Sequence, residues 1–223
     1  MHQQKSKIIL IYFFLFLIVG SINNNSLNKI QIEKVKNIKI SGLNEKENIN
    51  ILEKISNLKL ENIFLLSSDE ISKIISSNTL VENYEIFKKY PNTLDIRIKK
   101  TNFLAKINSN GKIFLIGSNG KLSDIKFSDK NLPFIFGNPE ISEFIKFKNI
   151  IDQSKFSLKQ IKNLYFFPSK RWDLELKKNI ILKLSKDHTR LSLDQAFEIL
   201  NDNYFNKIKV IDARIKNQII LND

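Results

Sequence analysis

The chain of 223 residues, 42% hydrophobic and 10% aromatic with six Gly and four Pro, has the material of one medium domain or two small ones and is not a disordered or collagen-like chain. It has no cysteine, which excludes disulfide frameworks, thiolate metal sites and Cys nucleophiles, and its only histidines, His2 and His188, lie in unrelated contexts, which argues against a multi-histidine zinc site or a His-dependent triad. The net charge of +13 admits nucleic acid, an anionic membrane or an acidic partner, but the lysines are spread along the whole chain beside an excess of Ile and Asn, as compositional drift would leave them, and no RNP-like motif, zinc finger or helix-turn-helix accompanies them.

Ile8 to Val19 (IILIYFFLFLIV) is an unbroken apolar run, with Lys5 and Lys7 before it and Gly20, Ser21 and Ile22 after it. Counted to Ile22 it offers roughly 15 residues, or about 22 Å of helix, against a hydrocarbon core of about 30 Å. That length suits a cleaved signal peptide, yet the Gly-Ser-Ile-Asn-Asn-Asn-Ser that follows has no A-x-A-like site. Snorkelling lysines and local bilayer thinning lengthen a short span. The adopted reading is a single transmembrane signal anchor over residues 8–22. Residues 1–7 are then cytoplasmic by the positive-inside rule and everything beyond the anchor lies outside the cytoplasm. Residues 23–34 are polar and aperiodic, a tether.

Structure is predicted from Val35. Val35 to Ser41 reads as a strand ended by Gly42, and Asn44 with Glu47 as the capping start of a helix carrying Ile49, Leu52 and Ile55. Ser67 with Glu70 caps a second helix holding Ile71, Ile74 and Ile75. Val81 to Tyr90 and Leu94 to Lys100 form two strands joined at Pro91 and Asn92, the second with Leu94, Ile96 and Ile98 inward and Asp95, Arg97 and Lys99 outward. The order over residues 35–100 is βααββ.

Residues 101–223 read as a β domain interrupted by two helices. Pro139 opens a helix with Ile141, Phe144, Ile145 and Ile151, and Ser192 with Gln195 caps another with Ala196, Phe197 and Leu200. Trp172, Leu174 and Leu176 alternate with charged residues, and Ile180, Leu182 and Leu184 follow Lys178-Asn179 as the other arm of a hairpin. From Ile211 a terminal strand places Ile211, Ala213, Ile215, Ile219 and Leu221 on one face and Asp212, Arg214, Lys216 and Gln218 on the other. A strand that ends the chain invites the edge of the sheet, where an incoming strand adds by β-augmentation, unless another strand covers it.

The βααββ order after an anchor resembles a POTRA domain. More narrowly, VKNIKISGL, the run from Val81 to Tyr90-Pro91-Asn92, and TLDIRI resemble the bacterial cell-division family FtsQ/DivIB, with its V-x-I-x-V-x-G and (F/Y)-P-x-T-L-x-I patterns. The family's succeeding E-R-x-P-x-A is reduced here to Ala105. Further on, Gly111 to Ile116 with Gly120-Lys121-Leu122 resembles the family hairpin, with Gly117 where Asp is usual. Leu132-Pro133 to Gly137, Arg171 to Leu176 and Ile211 to Arg214 resemble three further elements, all in the family's order.

The resemblance implies an α+β chain: one amino-terminal transmembrane helix, a POTRA-like domain and a strand-rich β domain with two helices. It implies a non-enzymatic, cofactor-free, single-pass type II scaffold of the inner membrane at the division septum. The partners implied are the extracytoplasmic segments of FtsB and FtsL, received at the carboxyl-terminal strand. Arg171 and Arg214 match family arginines whose implied role is to face acidic residues of the incoming chain, through bidentate hydrogen bonds. Ile215, Lys216, Asn217 and Gln218 complete the candidate partner-binding segment. Ile215 replaces the family's aromatic and is expected inward. Tyr90 and Pro91 mark a strand end and a candidate second docking surface. The alternative is another POTRA-containing envelope assembly or secretion component, for which further POTRA units or a transmembrane barrel are expected. A secreted enzyme or nucleic-acid binder would need a catalytic constellation or a clustered basic face. Trp172 reads as core from its spacing, Asp187 beside His188 makes no dyad, and Asp173 with Glu175 reads as a charge ladder.

Overall fold

A computed structural model of the chain describes residues 2–22, 34–58, 60, 63, 66–124, 131–202 and 208–222. Helix α1 (His2–Ile22) stands first, and its residues Ile8 to Val19 are all exposed. Among the described residues no helix is long and apolar enough to cross a membrane. The expected tether, residues 23–34, lies outside the described residues except for Lys34.

Strand β1 (Asn37–Ser41) ends at Gly42, whose φ of +113° and whose distance of 1.7 Å from an added Cβ to the Ile98 carbonyl oxygen leave room for glycine alone. Asn44 then caps α2 (Glu45–Ser56) by accepting the Glu47 N–H at 2.9 Å. Ile51 and Ile55 turn inward, whereas Ile49, expected on the apolar face, is 47% exposed. Helix α3 (Asp69–Ser77) begins one residue later than its expected cap: Ser67 accepts from Asp69 N–H, and Ser68 is the N-cap residue. Strands β2 (Val81–Lys89) and β3 (Thr93–Lys100) follow, joined through a cis Tyr90–Pro91 bond. β3 is central, parallel to β1 and antiparallel to β2, so the expected βααββ order is present as a three-stranded sheet.

Ile51, Ile55, Ile71 and Ile75 pack with Val81, Leu94, Ile96 and Ile98. Each such isoleucine contributes about 1.5–3 kcal/mol by leaving water. Asp95 departs from the outward expectation. It is buried because Lys89, at 2.6 Å, and Arg97, at 3.5 Å, close over it.

The second unit is a nine-stranded sheet. Its strands are β4 (Phe103–Ser109), β5 (Lys112–Gly117), β6 (Leu122–Ser123), β7 (Phe134–Phe136), β8 (Ile161–Phe166), β9 (Trp172–Leu176), β10 (Ile181–Leu184), β11 (Val210–Ala213) and β12 (Ile220–Asn222), in the order β12-β11-β10-β9-β8-β7-β4-β5-β6. β7 is parallel to β8 and β10 to β11; parallel neighbours need crossovers, supplied by α4 (Ile141–Gln153) and α5 (Thr189–Leu200). A capping box between Glu140 and Glu143 starts α4 after Pro139. Leu164, Leu174, Leu182, Ile211 and Leu221 form one cross-strand row through five strands on the core face. Trp172 belongs to the same core, as its spacing predicts: it stacks on Phe147 at 4.6 Å and packs against Phe166 at 4.8 Å.

Two expectations in this unit are corrected. Ser192 is not a cap: α5 begins at Thr189, and the buried Ser192 hydroxyl accepts Ser185 N–H at 3.2 Å and donates to Ala213 C=O at 2.8 Å. The residues from Ile211 to Leu221 are not one strand. β11 stops at Ala213, the chain reverses with Asn217 at φ +59°, and β12 returns antiparallel with Leu221 opposite Ile211. Opposed residues of a hairpin share a face, so the alternation reads as continuous although the strand is broken.

Candidate partner-docking edge

Because β12 doubles back, it and not β11 closes the sheet. The reading in which another strand covers the Ile211 strand is the one realised, and the cover is the chain's own tail. Among the described residues the outer side of β12 pairs with no strand, which leaves alternate N–H and C=O groups facing outward over Ile220 to Asn222.

On the face opposite the leucine row, Tyr165, Asp173, Lys183, Asp212 and Ile220 lie in register from β8 to β12. Arg171 and Arg214 both reach this row, at the end of the sheet where β9 starts and β11 ends. The Arg171 Nε donates to Asp173 Oδ1 at 3.1 Å and its guanidinium sits 4.3 Å from the Phe167 ring centre. Arg214 grips Asp212 with two nitrogens, Nε to Oδ1 at 2.8 Å and Nη2 to Oδ2 at 2.6 Å. The two arginines expected to await an acidic partner are thus already paired within the chain.

Hydrogen bonding from Arg214 holds the Asp212 carboxyl below the usual aspartate range, against the opposing effect of burial. Burial pushes the Asp173 carboxyl up, and Arg171, the Leu184 N–H and the more distant Arg214 pull it back only in part. Glu175 is held low by Lys162, Asn163 and Tyr165. Asp173 and Glu175 are therefore each engaged separately and form no acid–base pair. Among the described residues no group of His, Asp and Glu has the arrangement of a metal site.

Ile215, Lys216, Asn217 and Gln218 form the exposed reversal between β11 and β12. Ile215 is 57% exposed, which overturns its inward placement, because the turn lifts it out of the strand's alternation. Tyr90 and Pro91 sit apart from all of these in the β2–β3 turn of the three-stranded sheet, with Tyr90 58% exposed. Sequence reasoning missed Asp212 and Asp173 as the partners of the two arginines. The signal available was the Arg-x-Asp and Asp-x-Arg spacing, which puts each pair on one strand face.

The POTRA domain of FtsQ type matches residues 33–100, and the carboxyl-terminal domain of cell division protein FtsQ/DivIB matches residues 96–214. The chain belongs to the FtsQ/DivIB family. Cell division protein FtsQ of Rickettsia typhi is 24% identical over 200 residues, 83% of this chain and 71% of its own length. FtsQ of Rickettsia prowazekii is 26% identical over 203 residues, with 83% and 70% covered. Cell division protein DivIB of Clostridium acetobutylicum is 32% identical over 98 residues, 44% of this chain and 39% of its own. A solved structure of the major extracytoplasmic domain of DivIB from Geobacillus stearothermophilus aligns with 42% of this chain and 85% of that one, at 12% identity and a TM-score of 0.33. FtsQ/DivIB proteins are cell-division proteins and not a known enzyme family, and the α+β chain described above, with its βααββ unit and strand-rich second unit, is this FtsQ/DivIB member's version of the fold.

Proposed function

We propose that this FtsQ/DivIB member is a membrane-anchored scaffold of the division machinery that links other division proteins and receives a segment of an FtsB–FtsL pair by β-augmentation. The observation that carries the reading is the strand order: β12 ends the sheet with an open backbone edge, beside a surface held by two arginines. Main-chain hydrogen bonds to β12 supply part of the affinity, at a net of about 0.5–1.5 kcal/mol each. Register and partner choice come from side chains. An acidic residue on the incoming strand competes with Asp212 for Arg214 or joins it as a second carboxylate on the same fork.

The anchor is α1. Its apolar run from Ile8 to Val19 is exposed, and a bilayer is the apolar phase that suits such a run, with the lysines that precede it in the sequence on the cytoplasmic side. The bulk then lies on the outer side of the inner membrane at the septum, as a single-pass type II protein. Confinement to the membrane plane raises the effective concentration of other single-pass partners. Tyr90 and Pro91 offer a second contact for a division protein at the far turn of the POTRA unit.

The test is capture of FtsB and FtsL extracytoplasmic segments by the detergent-solubilised full chain, by a truncation before Ile220, and by Arg214→Glu. Loss of capture in both variants, with circular dichroism unchanged, supports the edge. Retention in both removes the β12 mechanism, and failure of the unmodified chain to bind removes the partner assignment.

A further inference from the structure

The two units meet through a two-residue link, Thr101-Asn102, between β3 and β4. Hydrogen bonds from both units brace that link, and a carboxylate stands at their centre. Glu82 of β2 accepts from Thr101 Oγ1 at 2.9 Å and from Ser118 Oγ at 2.6 Å, on the same oxygen. Each hydroxyl then accepts a backbone N–H: Thr101 from Asn119 at 3.3 Å, Ser118 from Asn102 at 3.1 Å. Asn119, in the β5–β6 turn, reaches across and donates its side-chain amide to Thr79 C=O at 2.9 Å, in the turn before β2, and to Val81 C=O at 2.8 Å, at the start of β2. Lys121 donates to the Ser76 carbonyl, and Thr101 N–H to Leu80 C=O at 2.8 Å. Thr101 is buried.

Gly117 keeps the space open. A Cβ there would lie 2.5 Å from Asn119 Oδ1 and 2.8 Å from Thr101 Oγ1. Any side chain at this position would displace Asn119 or Thr101. The missing side chain and the Asn119–Thr101 contact are therefore one design.

We propose that Glu82 and Asn119 are positioning residues: they lock the POTRA unit and the β domain at one fixed angle. The strand directions give the lock its leverage. β2 starts and β3 ends at the joint, so the Tyr90–Pro91 turn lies at the far end of the POTRA sheet. β4 starts at the joint, and β8, connected to it through parallel β7, runs the same way, so Arg171 and Arg214 stand at the end of the β domain remote from the joint. A small rotation about Thr101-Asn102 therefore moves the two candidate docking surfaces far relative to each other. The joint itself is read from hydrogen bonds; only its use rests on the scaffold reading.

The chain has no cysteine, so Lys54→Cys on α2 and Lys186→Cys after β10 place two spin labels, one per unit, on exposed positions of the full chain in detergent. Pulsed electron paramagnetic resonance is expected to give one narrow distance distribution for the labelled chain. Glu82→Ala and Asn119→Ala broaden it or split it, while Trp172 fluorescence and amide protection in both sheets stay as they were. Glu82→Gln, which keeps an acceptor oxygen for the hydroxyls, stays narrower than Glu82→Ala. A broad distribution in the chain without these substitutions overturns the proposal, as does an unchanged width in the Glu82→Ala/Asn119→Ala double variant. Because no partner is added, failure here is separate from failure of the capture experiment.

Discussion

Two neighbouring aspartates on one sheet face differ in sign. Asp212 is held low by Arg214, so its pairing stabilises the fold fully above the ordinary aspartate value of 3.8 and is lost as pH falls through its lower folded value. The Arg214 side chain is 45% exposed, which limits the gain to about 1 kcal/mol or less. Unfolding free energies from urea titrations of the intact chain and Asp212→Asn should therefore differ by that amount near neutrality and converge as pH drops below 3.8. Asp173 behaves oppositely. Its folded value is raised by burial, so ionisation disfavours the fold and protonation, on descending through the raised value, favours it. Asp173→Asn is expected to cost less than Asp212→Asn at pH 7 and more at pH 3, in the same titration. Trp172 is a packing residue at this scale: Trp172→Ala removes contacts with Phe147, Phe144 and Phe166 and should cost about 3–5 kcal/mol in chemical denaturation.

At the scale of elements, the terminal hairpin depends on α5. Ser192 joins the end of β11 to the loop after β10 by two buried hydrogen bonds, so Ser192→Ala leaves Ala213 C=O and Ser185 N–H without that partner. The expected cost is about 1–3 kcal/mol. Amide exchange should quicken in β11 and β12 before it does in β4 and β5, and uniform acceleration throughout the sheet would contradict this. In the other unit, Gly42 lets β1 end against Ile98. Gly42→Ala meets both a positive φ and a carbonyl in contact, so a loss of more than about 2 kcal/mol is expected from the thermal transition.

For the molecule as a whole, α1 is an exposed apolar helix on a chain that otherwise keeps its large apolar side chains mostly in two cores. The 223-residue chain should float with liposomes and resist carbonate extraction, and a chain lacking residues 1–22 should not. Phe14→Lys in the middle of the run should weaken retention by roughly 2.5–3.5 kcal/mol of insertion free energy. Recovery of the full chain in the soluble fraction would remove the anchor.

What the sequence by itself determined is local or ordered along the chain. The apolar periodicities of Ile71–Ile75 and Leu94–Ile98, the cap at Asn44, the helix that follows Pro139, the Trp172 hairpin and the succession of family-like fragments are each legible because neighbours in sequence set strand, helix and turn, whereas the first helix turns Ile51 inward in place of the expected Ile49. The family follows from that order. Tertiary structure decided what depends on distant partners. Asp95 and Asp173 are buried because Lys89, Arg97 and Arg171 fold over them, and Ser192 is a tie and not a cap because β11 ends beside it. The tail is a hairpin whose second strand takes the edge, since a two-residue period looks the same across an antiparallel turn as along one strand. The joint at Glu82 was invisible for the same reason: its donors lie 19 and 36 residues away in the chain, and nothing local to Glu82 distinguishes it from any half-exposed strand carboxylate until the two units are brought together.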